Sequence, residues 1–139
     1  MQFIETRKSL THTGVMAMLE AAIAEADQQG QPQCIVIVDA VGQVMGEIRM
    51  TGAKFLSSKS ARSKALTAAS IGVPTVSIPE PVRPFIAAAT GGDVTGLPGG
   101  LPIAFDGDVV GGIGIGSGSG DQDIAVARAA LAAIGADPA

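Results

Sequence analysis

The chain has 139 residues, enough for one domain with a buried core, and 47% of them are apolar against 16% charged. A net charge of -4, with four Phe and no Tyr or Trp, excludes general nucleic-acid binding and recognition by base stacking. Cys34 is the single cysteine, so there is no disulfide framework. Met1–Lys8 has no apolar run behind its basic pair, and no segment reaches bilayer-spanning length. The expectation is therefore a cytoplasmic protein with neither signal peptide nor membrane contact.

Val15, Met18, Leu19, Ala22, Ile23 and Ala26 recur at helical spacing and predict a first helix from Thr11, a candidate N-cap, to Gln29, stopped by Gly30. Gln33 to Asp39 is rich in β-branched residues and predicts a strand, with Cys34 buried in it. Gly42-Gln43 turns the chain back into a second strand, Val44 to Met50, in which Met45, Glu47 and Arg49 share one face. A second helix runs from Ser57 or Ser58 to Gly72, with Ala61, Ala65 and Ala68 forming a face suited to close packing. Pro74, Pro79, Pro81 and Pro84 then break up regular structure, leaving one short helix from Val82 to Ala89 and a loop through Gly96.

Asp106-Gly107 between two apolar runs is a two-residue hairpin signal, because both turn positions need positive φ. The strand after it places Val110, Gly112, Gly114 and Gly116 at period two, so one face is nearly bare backbone. Such a face marks close approach of a helix or of a ligand. The last helix starts near Ser119 to Asp121 and runs to Ile134, and Ser119 with Gln122 matches a capping box. Helices separated by hairpins predict an α+β fold with an antiparallel sheet flanked by helices.

Several constellations carry chemistry. Ser117-Gly118-Ser119-Gly120 reads either as an ordinary helix cap or as a nest of amides for an anion. Arg49, Lys54, Lys59, Arg62 and Lys64 follow one another with no acid between them, which is either a solvated face or an anion site. His12, the only histidine, has no partner at metal-ligand spacing, which predicts no structural metal site. It remains a candidate axial ligand or general base at the start of a helix. The glycines near residue 114 do not match the dinucleotide fingerprint.

The chain resembles the GlcG/HbpS family, which also includes the C-terminal domain of PduO-type corrinoid adenosyltransferases. The resemblance runs through Val36-Ile37-Val38-Asp39 to Gly42, Arg49-Met50-Thr51-Gly52-Ala53, and the helix bearing Lys64-Ala65. It closes on Pro98-Gly99-Gly100-Leu101-Pro102-Ile103, Gly107 to Gly118, and Gln122-Asp123. Thr51 stands where the family usually has Asp. The resemblance implies a three-layer, profilin-like or roadblock-like unit that assembles as a homo-oligomer, a dimer or larger, and haem as a candidate cofactor bound with help from His12.

Three functions follow as expectations. The first is a cytoplasmic small-molecule-binding protein of the GlcG/HbpS type, with haem or another small anionic molecule as partner and Arg49, Lys59, Arg62, Gly99, Gly100 and His12 as ligand-binding residues. The second is a catabolic enzyme doing acid–base chemistry on a carboxylate, with Asp39 or Glu47 as base, Lys64 as acid or electrostatic partner, and Arg49 as clamp. The third is a non-catalytic accessory protein. For either of the first two, the pocket is expected where Asp39 and Arg49 meet the Gly99-Gly100 loop and Lys64, with the Lys64 helix packed near the Gly112–Gly114 strand or the Pro98-Gly99-Gly100 loop.

Overall fold

A computed structural model describes residues 1–139. The Thr11 hydroxyl accepts from the Gly14 amide at 3.2 Å and starts α1 (His12–Gln29), which ends at Gly30 in the left-handed conformation, φ 67°. β1 (Cys34–Asp39) and β2 (Val44–Arg49) form the first hairpin. α2 (Ser57–Ile71) follows, then 3-10 turns at Thr75–Ser77 and Glu80–Val82 and the short α3 (Arg83–Ala89). β3 (Gly100–Phe105) and β4 (Asp108–Gly116) form the second hairpin, and α4 (Gly120–Ala133) completes the chain.

The four strands form one antiparallel sheet in the order β2-β1-β4-β3. Alternation along the strands divides the core in two. Ile35, Ile37, Ile113 and Ile115 pack beneath α1 and α4, while Cys34, Val36 and Val38 pack against Ala61, Ala65 and Ala69 of α2. Helices thus cover both faces, giving the three-layer profilin-like or roadblock-like architecture.

The glycines of β4 explain how close α2 comes. A Cβ on Gly112 would strike the Ala65 carbonyl, and one on Gly114 would strike that of Ala61. The expected packing of the Lys64 helix on this strand is observed, so the bare face is filled by helix and not by ligand. Val110 departs from the expected pattern. The pairing with β3 is irregular between Ile103 and Ala104, and Val110 belongs to the core under α1 and α4 rather than to the glycine face. A bulge breaks the period-two count at that point.

Local signals elsewhere act as expected. Asp106 and Gly107 take φ 50° and 82°, and their amides donate to the Asp137 carboxylate at 3.1 and 2.8 Å. Ser119 and Gln122 form the capping box of α4.

Candidate functional site

β4 ends at Gly116, and the chain turns into α4 through Ser117, which is held at φ 100°. Positive φ in a residue other than glycine is strained by roughly 1–3 kcal/mol and needs fixing from outside. Ser117 is fixed twice: its hydroxyl accepts from the Lys54 amide at 3.0 Å and its carbonyl accepts from Gln31 Nε2 at 3.2 Å. Those bonds bring the loop before α2 against the loop before α4, so the positive ends of both helix dipoles face one place.

Lys64 lies at the floor of that place. Its Nζ donates to the Ile115 carbonyl at 2.6 Å and to Asp123 Oδ2 at 3.1 Å, with both side chains almost wholly buried. The Gly118 amide donates to the other Asp123 oxygen at 3.1 Å. Burial raises the Asp123 carboxyl above its ordinary value, and the opposing pull of Lys64 does not cancel it. Behind Gly118 sits Gln33, fully buried, with neither amide atom in a hydrogen bond. Its amide favours the Asp123 carboxylate by proximity without closing a bond to it. Gly99 passes over the pair at φ 113°, and a Cβ there would lie 2.8 Å from Asp123 Cβ and 3.3 Å from Lys64 Nζ.

The resulting cleft, about 280 Å³, is lined by Lys54, Ser57, Ser60, Leu97 and Ser117 above the Lys64–Asp123 pair. Its charges are two cations and one anion. Of these, Lys54 alone has no partner of opposite charge. Next to the cleft, Phe55, Leu56 and Leu97 are 69%, 68% and 54% exposed, an apolar rim in a chain with few large side chains. A larger groove of about 560 Å³ lies at the opposite end of the sheet, between Glu5–Lys8 and Gly107–Val109. Its cations are neutralised, Arg7 by Glu5 and Lys8 by Asp108, each at 2.8 Å. That makes the smaller cleft the better anion site.

The structure brings Lys64 and Gly99 together, as expected, but separates the rest of the expected pocket. Arg49 pairs with Cys34 at the start of β1, whereas Asp39 lies at its far end, about 17 Å along the strand. Asp39 caps its own turn, accepting from the Val41 and Gln43 amides at 3.0 Å. Glu47 and Arg49 stand exposed on β2 with no ion pair, and Lys64 reaches toward β4, away from them. The acid–base cluster of Asp39, Glu47, Arg49 and Lys64 is therefore not assembled.

Lys59 and Arg62 project from the exposed side of α2 and do not line the cleft. The Gly100 amide donates to Thr75 Oγ1 at 3.2 Å, so it cannot hold a ligand oxygen. His12 is exposed at the N-terminus of α1, four residues past the Lys8–Asp108 pair, and so at the other end of a strand about 26 Å long. Ser117–Gly120 is a cap, and its anion is the chain's own Asp123. Asp123, Gln33 and the serines Ser57 and Ser60 carry no sequence signal for this role, because their partners are far away in the chain.

The fold and the sequence match known proteins. A family model described as haem degrading protein HbpS-like matches residues 10–132. The chain belongs to the HbpS-like family. It is similar to the structure of a PduOC–haem complex, at 32% identity and a TM-score of 0.88, over 94% of this chain and 99% of that one. A doubly substituted HbpS from Streptomyces reticuli is 31% identical with a TM-score of 0.82, over 93% of this chain and 89% of that one. The corrinoid adenosyltransferase PduO of Salmonella typhimurium is 34% identical over 134 residues, 93% of this chain, which spans 40% of that protein's length.

No helix is long and apolar enough to cross a membrane.

Proposed function

We propose that the protein binds an amphipathic carboxylate, with haem as the first candidate, across the cleft between the starts of α2 and α4. The observation that carries this reading is Lys54, a cation without an acidic partner between a hydroxyl-lined cleft and the exposed apolar rim of Phe55, Leu56 and Leu97. A carboxylate would take a charge-assisted bond from Lys54 and a hydrogen bond from the Ser57 hydroxyl, while Ser60 already donates its own to the Ser57 carbonyl. An apolar ring system would cover the rim. The family and the haem complex of a relative 32% identical support haem as that ligand.

The residues present fit the propionate side chains of haem and one of its faces. They do not fit its iron: no histidine lines the cleft, and Cys34 is buried between Ser58 and the Lys54 carbonyl. His12, the one imidazole, lies at the other end of the sheet. Binding here rests on carboxylates and ring area.

Titration with haem and with metal-free protoporphyrin tests this. Both should bind with similar affinity, and Lys54→Glu should weaken both about tenfold or more, the range of a charge-assisted contact turned repulsive, while His12→Ala changes neither. Haem binding that is lost in His12→Ala, or that is indifferent to Lys54→Glu, would overturn the assignment.

A further inference from the structure

We infer that β2 is the seam of a two-fold dimer, in which Glu47 and Arg49 of one copy pair with Arg49 and Glu47 of a second copy of this chain. This inference is independent of the ligand reading.

β2 is an edge strand, and every residue in it except Gly46 is exposed. It has no proline and no lysine, its two charges are of opposite sign, and its one irregularity lies at the Val44 end, away from Ile48. The other edge strand, β3, is by contrast largely buried. Val44, Met45 and Ile48 are 43%, 37% and 37% exposed, and Met16, on the helix above, is 55% exposed. A monomer thus leaves Val44, Met45 and Ile48 of an open sheet edge in water.

The register of the seam follows from the hairpin. The Met50 amide donates to the Gln33 carbonyl just before β1. By alternation the N–H and C=O groups of Ile48 also face β1, and those of Glu47 and Arg49 face outward. Only a pairing that sets outward residues against outward residues closes hydrogen bonds. Centring the axis on Glu47 would oppose Glu47 to itself, and centring it on Arg49 would oppose Arg49 to itself. Centring it on Ile48 sets Glu47 against Arg49 twice and closes both hydrogen-bonded pairs. It also places the two Ile48 side chains directly opposite each other at a non-hydrogen-bonded position, where Cβ atoms lie about 4.5–5.5 Å apart.

Side-chain directions agree. A Cβ on Gly46 would meet Val15 and Leu19, so Gly46 and Ile48 face α1. Glu47 and Arg49 face the other side, where α2 covers β1, β4 and β3 but not β2. The two ion pairs would lie on this open face, and the two Ile48 residues beneath the paired α1 helices. The seam joins two four-stranded sheets into one of eight. It also accounts for an Arg49 that finds no acid within its own chain.

The test uses the full chain. Ile48→Cys should oxidise with copper phenanthroline to a covalent dimer with no larger covalent species, while the wild type, whose Cys34 is buried, should not cross-link. Light scattering should give a dimer or an even multiple of it. Glu47→Arg and Arg49→Glu should each raise the dissociation constant of this contact about tenfold or more. Mixing the two variants should restore association, because the mixed pair has opposite charges at both positions. A single-chain mass at every concentration, an Ile48→Cys variant that forms no covalent dimer, or single reversals that assemble like the wild type would each overturn the proposal.

Discussion

Gly114→Val should lower the stability of this protein by at least about 3 kcal/mol, the upper end of ordinary overpacking, and its melting midpoint by about 10 °C for a domain of this size. In an ordinary strand, replacing glycine gains roughly 0.5–1 kcal/mol from backbone entropy. Here the sign reverses. A Cβ at Gly114 would overlap the Ala61 carbonyl and come 2.6 Å from the Ala65 amide nitrogen, and both atoms belong to helix backbone that cannot turn aside. α2 would have to lift off the sheet, exposing Val36 and Val38 beneath it. Gly107→Ala gives the contrast: nothing lies within 4 Å of its Cβ position, and only the positive φ of 82° opposes it. Equal melting midpoints for Gly114→Val and the wild type would refute the packing of α2 on β4.

Lys64→Met should cost about 3–5 kcal/mol, because it leaves Asp123 buried without its cation. Lys64→Met with Asp123→Leu should recover most of that loss, since a buried pair contributes little over apolar residues of similar volume. The single variant should also depend on pH in a defined direction. Burial holds the Asp123 carboxyl above its ordinary value, so between that value and the raised one the folded chain binds more protons than the unfolded chain. The contribution of Asp123 to stability therefore rises as pH falls through the raised value, and levels off below the ordinary carboxylate value. Urea unfolding of the single variant at a series of pH values lowered from neutral measures the effect, as a stability that rises toward acid. A loss under about 1 kcal/mol at neutral pH, well below the cost of an uncompensated buried charge, would contradict the structural role of the pair.

The sequence made the local parts of this fold legible. Asp106-Gly107 specifies its turn by backbone conformation alone, and Ser119 with Gln122 specifies the start of α4 across three residues. The match of the Gly112–Gly114 face to the Ala61–Ala65 face was legible too, because each is a small-residue surface with its own period. The site was not legible in the same way. Asp123 reads as a first-turn acid, and only the fold places it beside Lys64, 59 residues away in the chain. The separation of Asp39 from Arg49, by contrast, was already implied by the hairpin. A turn at Gly42 pairs Val38 with Val44 and so sends Arg49 to the far end of β1, beside Cys34.

The cleft between α2 and α4 is, on this account, where the protein holds its ligand. Amide chemical-shift mapping with metal-free protoporphyrin tests that placement most directly, because the whole backbone reports at once and the iron's paramagnetism is absent. The shifts should gather at Lys54–Ser60, Leu97–Gly99 and Ser117–Gly120. Shifts confined to Glu5–His12 and Gly107–Val109 would place the ligand at the opposite end of the sheet and contradict the account.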